Sequence, residues 1–274
     1  MLHPDLVKYF PGPPPTKIAK IELTYKKPID ESVVLRLVDA LHSFLKKAEV
    51  IRINSLIVGL SGGIDSAVSC ALLKQAFGSS AKCIIVEFDQ VDQYSQDTLF
   101  SIELAKKIGI EYEVVNAYAL YQAHLNLFEQ NTLVSKMHLR SRLVRNIVFQ
   151  FAENVSAMVI DTTDKSEDIL KMYEESFKGH IAPLTEFYKS ELYDMVDYFG
   201  LPELKAKDSG CPDLFDFDAY GLDWETLDPI LHLLVEKGLS PNEIEKAHGI
   251  DLGWLQSLQR RITTQPLRTT TARL

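Results

Sequence analysis

Gly59-Leu60-Ser61-Gly62-Gly63-Ile64-Asp65-Ser66 is the stretch whose residue types and spacing can do chemistry. Glycines let a backbone approach an anion closely, and a helix starting behind them offers unpaired N–H groups and a partial positive charge. Ser61 and Ser66 add hydroxyl donors, and Asp65 supplies the carboxylate oxygen that Mg²⁺ prefers. Together they describe a seat for a phosphate-bearing ligand. The common phosphate loops do not fit, because the stretch has no lysine for a GxxxxGK loop and lacks the GxGxxG spacing. A plain glycine-rich turn is the bland alternative. The apolar run before the stretch and Ala67-Val68 after it speak against that.

Such a loop needs a strand before it and a helix behind it. Leu56-Ile57-Val58 is too short for a helix and reads as a buried strand, and 67–77 reads as the helix. The alternation continues with a strand at 83–86, a helix at 98–108 stopped by Gly109, and a strand at 112–115. Helices at about 120–128 and 139–153 precede a strand at 157–160, and a helix at 31–49 precedes the whole set. Short, continuously apolar strands alternating with helices predict an α/β fold: a doubly wound parallel sheet, helices on both faces, ligand at the carboxyl ends of the strands. Beyond Pro183 the pattern is mostly helical, at 187–199, 227–236, 242–247 and 252–261. Residues 1–28, with Pro11-Gly12-Pro13-Pro14-Pro15, read as an extension ahead of one domain over 29–274.

Composition narrows the class. A net charge of −9, with 29 Lys+Arg against 38 Asp+Glu, weighs against a dedicated nucleic-acid binder. A 46% hydrophobic, 24% charged composition excludes a disordered chain. No apolar run approaches the ~18 residues that cross a bilayer, and no signal peptide is visible. Cys70, Cys83 and Cys211 form no CxxC pair. The expectation is a cytoplasmic enzyme with reduced thiols. The histidines show no metal-binding spacing, and the acidic cluster Asp213, Asp216, Asp218 and Asp223 lacks calcium-loop spacing and reads as solvated.

Ser61-Gly62-Gly63-Ile64-Asp65-Ser66 resembles the PP-loop of the ATP pyrophosphatases, which split ATP between the α- and β-phosphates and adenylate an acceptor. Further segments resemble the ammonia-dependent NAD synthetases. Arg140-Ser141-Arg142 stands at that family's Arg-x-Arg pair. Val159-Ile160-Asp161-Thr162-Thr163-Asp164-Lys165-Ser166-Glu167 is similar to its strand ending in Gly-Thr and followed by Asn-Lys-Ser-Glu. Pro183-Leu184 and Tyr188-Lys189-Ser190-Glu191-Leu192-Tyr193 match its Pro-Ile/Leu and Tyr-Lys-Thr-x-Val-Tyr stretches.

The resemblance implies the adenine nucleotide alpha hydrolase-like fold, Mg·ATP, deamido-NAD and ammonia as reactants, and a homodimer, with neither membrane nor nucleic acid as partner. It implies ATP binding by residues 59–66, Thr162, Lys189 and Cys211, with Cys211 where the family has a hydroxyl. Asp65 and Glu167 would hold Mg²⁺, and Lys189 would complete the catalytic set by neutralising phosphate. Arg140, His180, Leu267 and Arg268 would bind the dinucleotide. With no length left for a glutaminase domain, ammonia is expected free or from a partner. Departures cluster on the substrate side: Asp161 replaces a glycine, 175–182 is shortened, and Phe215-Asp216-Phe217-Asp218 replaces a Pro-Gly-Gln loop. Two alternatives therefore stay open, a related ligase amidating a different carboxylate and a non-catalytic adenine-nucleotide binder.

Overall fold

The computed structural model describes residues 21, 25–26, 28–90, 94–170, 178–206, 210–211, 214–215 and 221–264. Strands β1 (Ser55–Gly59), β2 (Lys82–Glu87), β3 (Glu111–Asn116) and β4 (Ala157–Val159) form one parallel sheet in the order β3-β2-β1-β4. The apolar run in β1 is continuous because both faces are covered. Leu56 and Val58 pack in one core with α1 (Glu31–Ala48), α2 (Ile64–Phe77), α3 (Gln96–Ile108) and residues further along the chain. Ile57, Ile84 and Val159 face the other way and meet Val148 and Ala152. The doubly wound expectation holds.

Helix starts differ from the periodicity where a cap decides them. Helix α2 begins at Ile64, three residues before the expected 67, because Gly63 is the extended cap. Asp65 and Ser66 therefore lie in the first helical turn rather than in the loop. After α4 (Tyr118–Leu125), α5 (Leu133–Asn154) begins six residues before 139, where the Thr132 hydroxyl accepts from Ser135 N at 3.2 Å. Its first buried residue is Leu143, so no buried apolar stripe marks that start. Helix α6 (Lys165–Leu170) was not expected, being too short to show a period.

The C-terminal part is helical as expected. Helix α7 (Lys189–Tyr198) packs on the sheet-side core through Leu192, Met195 and Val196. Helices α8 (Trp224–Leu231), α9 (Pro241–His248) and α10 (Leu252–Thr264) build a second core around Leu227, Ile230, Ile244, Leu255 and Leu258, joined by Leu170 and Tyr188. A single wide π turn, His232–Glu236, continues α8 over the expected 227–236 span. Two short strands, β5 (Gly210–Cys211) and β6 (Leu214–Phe215), pair antiparallel. Of the N-terminal extension, most lies outside the described residues. Tyr25 and Lys26 pack on α7, with Tyr25 Oη 3.0 Å from Ser190 Oγ and Lys26 Nζ 3.0 Å from Asp194. Among the described residues no helix is long and apolar enough to cross a membrane.

The shortened segment before Pro183 is stitched to β4. Ile181 bridges Ile160 in parallel, His180 N donates to Val159 O at 2.7 Å, and the buried Asp161 carboxylate accepts from Gly179 N (3.0 Å) and Thr163 N (2.9 Å). A Cβ on Gly179 would lie 2.5 Å from Asp161 N and 2.7 Å from Val159 O. Backbone cannot yield as a side-chain tip can. Gly179→Ala is therefore expected to destabilise the fold by about 2–3 kcal/mol, read by urea unfolding. A midpoint equal to wild type would show the segment slides freely.

Candidate active site

At the carboxyl end of β1 the chain turns through Leu60–Gly63 into α2. Gly62 has φ +79°, in the left-handed region that favours glycine. The loop is closed by its own hydroxyls: Ser66 Oγ donates to Gly63 O at 2.9 Å and accepts from Ser61 N at 3.2 Å. Leu60 N donates to Ile84 O at 2.8 Å, fixing the root of the loop to β2.

Three helix N-termini converge beside this loop. Asp65 sits in the first turn of α2, Glu167 in the first turn of α6, and Lys189 opens α7. The Lys189 ammonium lies 2.6 Å from Asp65 Oδ2, 2.7 Å from Glu167 Oε1 and 2.9 Å from Asp164 Oδ2. Lys189 is 1% exposed and Asp164 0%. Carboxylates at helix N-termini meet the positive end of the helix dipole, so α2 and α6 stabilise their acids while α7 opposes its lysine. Burial pushes the Asp164 carboxyl up to about 7; Lys189 pulls it back down and Asp65 adds to the rise. Burial also raises Glu167 well above its ordinary value, against the pull of Lys189.

The backbone holding this cage is itself anchored. Asp164 caps α6 by accepting from Glu167 N at 2.8 Å, while Glu167 Oε2 faces Asp164 N at 3.4 Å, a reciprocal capping box. Lys189 N donates to Ser166 Oγ (2.9 Å), Ser166 Oγ to Asp228 Oδ1 (2.6 Å), and Ser190 N to Asp228 Oδ2 (2.8 Å). Asp228 is fully buried on α8, and burial pushes its carboxyl up to about 6 against the Ser166 and Ser190 hydrogen bonds that lower it. Through it, α8 fixes where α6 and α7 begin.

The cage has donors for a hard cation. One oxygen each from Asp65, Asp164 and Glu167 lie within 4.8 Å of one another. Asp65 Oδ1 and Asp164 Oδ2 are buried without a hydrogen bond, the latter meeting Lys189 only as an ion pair. All-carboxylate oxygen donors suit Mg²⁺.

Of the residues singled out in the sequence, the structure brings Asp65, Glu167 and Lys189 together. Thr162, half-buried, lies in the segment between β4 and the capping box. Arg140 is on α5; its guanidinium lies over Phe88 (4.8 Å) just after β2 and over Tyr121 (5.9 Å) of α4. His180 is not brought to the loop. Its Nδ1 accepts from Val159 N at 3.0 Å and its ring lies against Phe149, beside a cavity of about 290 Å³ that also touches Arg52, Ser156 and Ala157 at the amino ends of β1 and β4. Cys211 is in β5, and Leu267 and Arg268 lie outside the described residues.

Asp164 and Asp228 lie in segments matched from the sequence but were given no role there, and Glu87 was not singled out. The signal for Asp164 was its Asp-x-x-Glu spacing to Glu167, the capping-box pattern. Glu87, at the end of β2, is buried and gathers the next loop: Oε1 accepts from Phe88 N (2.6 Å) and Asp89 N (2.7 Å), and Oε2 from Ser95 N (2.7 Å) and Ser95 Oγ (3.0 Å). Burial raises its carboxyl, but these donors outweigh it and leave it below the ordinary value. A depressed carboxyl contributes stability above its unfolded pKa of about 4.3, lost as pH falls through the folded value. Glu87→Gln is expected to cost about 2 kcal/mol at pH 7, with the gap to wild type closing below pH 4. A gap that persists at pH 3 in denaturant titrations would assign the loss to shape instead.

The sequence model of the NAD synthase family matches residues 33–270. The NH(3)-dependent NAD(+) synthetase of Staphylothermus marinus is 28% identical over 217 residues, 76% of this chain and 79% of the relative. That of Finegoldia magna is 27% identical over 68% of this chain and 79% of the relative. In structure, the NH3-dependent NAD synthetase of Campylobacter jejuni matches with a TM-score of 0.72 at 19% identity, covering 90% of this chain and 99% of the other. The NMN synthetase of Francisella tularensis matches with a TM-score of 0.71, also at 19% identity, over 89% and 97%. The cage of Asp65, Glu167 and Lys189 beside a glycine-rich loop thus comes from a sequence matched over nearly its whole length, and the chain belongs to the NAD synthase family.

Proposed function

We propose that this protein is an ammonia-dependent NAD synthetase. The carboxylate of deamido-NAD attacks the α-phosphorus of ATP and the α–β phosphoanhydride bond breaks, releasing pyrophosphate. Ammonia then adds to the acyl-adenylate and AMP leaves, giving the amide. The observation that carries this is the buried ammonium of Lys189 among Asp65, Asp164 and Glu167, directly behind the Ser61–Ser66 turn. No protein nucleophile is needed, so catalysis rests on positioning and charge.

The loop 59–66 seats the phosphates through backbone N–H groups and the Ser61 and Ser66 hydroxyls, with Thr162 facing the nucleotide from the end of β4. Lys189 meets the charge that develops on the departing pyrophosphate. Asp65 and Glu167 would hold Mg²⁺, which would supply positive charge beside the polyphosphate. Arg140, already stacked on two aromatic rings, presents its guanidinium to the dinucleotide. A homodimer is supported by the exposed Leu120, Leu127 and Phe128 on and after α4, a helix with no fully buried residue. A reducing, cytoplasmic setting is supported by Cys70 and Cys83, buried as free thiols.

A second reading keeps the chemistry and changes the acid. The fold matches an NMN synthetase as well as an NAD synthetase, so the acid would be the smaller mononucleotide. One assay separates them: the protein with Mg·ATP and ammonium, offered deamido-NAD or the mononucleotide acid, with products identified by mass. AMP with NAD is the expected result. AMP with the mononucleotide amide alone selects the second reading, and ATP binding without turnover of either acid overturns both.

A further inference from the structure

We infer that Lys189 and a divalent cation compete for one three-carboxylate cage, that Asp164 is the third ligand, and that metal entry releases the ammonium. The inference rests on the reading of Asp65 and Glu167 as metal ligands and adds to it a ligand and an internal competitor. Asp164 is the best-placed donor of the three. It is fully buried, its Oδ1 is committed to Glu167 N at 2.8 Å, and its Oδ2 faces the cage with the Lys189 ammonium 2.9 Å away. Asp65 Oδ1 is buried with no hydrogen bond although Asp65 Oδ2 meets Lys189, and the three acids lie within 4.8 Å, so the cage offers more oxygen donors than one ammonium satisfies.

Charge points the same way. Ionised, the acids carry three negative charges and Lys189 returns one, leaving an excess that a divalent cation offsets better than an ammonium. Lys189 is also the occupant easiest to move. It opens α7, where the positive end of the helix dipole repels it, and the three carboxylates and the Trp224 ring at 5.9 Å surround its tip. Its unbranched stem can carry the ammonium out of the cage while Lys189 N stays on Ser166. In wild type, therefore, the lysine keeps the cage closed to metal until phosphate gives the ammonium another partner.

The test is Mn²⁺ binding without nucleotide or acid, followed by the electron paramagnetic resonance signal of free Mn²⁺. Lys189→Gln should bind Mn²⁺ at least about tenfold tighter than wild type, and Lys189→Gln with Asp164→Asn should lose that gain. If Lys189→Gln unfolds without metal, the same gain is read as a larger rise in Tm with millimolar Mn²⁺ than wild type shows. Equal or weaker binding by Lys189→Gln, no extra rise in Tm, or a gain that survives Asp164→Asn overturns the inference. Because no turnover is involved, this failure is distinct from a failure to make NAD.

Discussion

Asp65→Asn is expected to slow pyrophosphate release about a thousandfold while the protein stays folded. The side chain lies in the first turn of α2, with Oδ2 on Lys189 at 2.6 Å and Oδ1 facing no donor. An amide keeps the size and loses the charge. It also risks turning an N–H₂ donor towards Lys189 in place of an acceptor. The fold should tolerate the change, since one first-turn charge contributes only about 0.3–1 kcal/mol through the helix dipole. Losing it also relieves crowding among three acids. ATP is expected to bind with less loss than turnover shows, because the loop backbone and hydroxyls remain. Continuous pyrophosphate release, ATP KM and Tm measured on one preparation check this. Release within tenfold of wild type at an unchanged Tm would remove Asp65 from the catalytic set.

The middle of the sheet was legible because β1 is buried on both sides. Leu56, Ile57 and Val58 alternate between two cores, so no polar residue interrupts the run and length alone separates strand from helix. The start of α5 was not legible, because a threonine cap sets it and the helix buries no residue before Leu143. The same divide runs through the site. Asp65 announces itself by adjacency to glycines, since loop and helix start are local. Asp164 needs contact with Lys189, Asp228 with Ser166 and Ser190, and no window along the chain holds both partners. His180 shows the opposite hazard. It is close in sequence to Pro183, but parallel pairing of Ile181 with Ile160 lays it back along β4, towards the amino end of the strand. Proximity in sequence to a matched motif does not say which end of a strand a side chain faces.

The net charge of −9 sharpens the demand on the few cations near the loop. An acidic protein with polyanionic reactants has to keep its positive charge where charge develops, and the buried cation at this loop is Lys189. Lys189→Met is accordingly expected to lower kcat about a hundred- to a thousandfold. It should also destabilise the protein by about 3 kcal/mol at pH 8, because removing one partner leaves buried acids uncompensated. The pH dependence follows from the acids that remain. Asp164 and Glu167 already have raised carboxyls through burial, and losing the ammonium that pulls them down raises them further. Groups whose folded pKa lies above the unfolded value favour the fold below about pH 4 and lose that contribution as pH rises through the folded value. The Tm deficit of the variant should therefore be small at pH 5 and grow towards pH 8. Saturating Mg²⁺ should restore much of that deficit, since a cation refills the cage, but it should not restore kcat, since no ammonium is left to meet the pyrophosphate. Recovery of both would reduce Lys189 to a filler of space and charge; recovery of Tm alone separates its two roles.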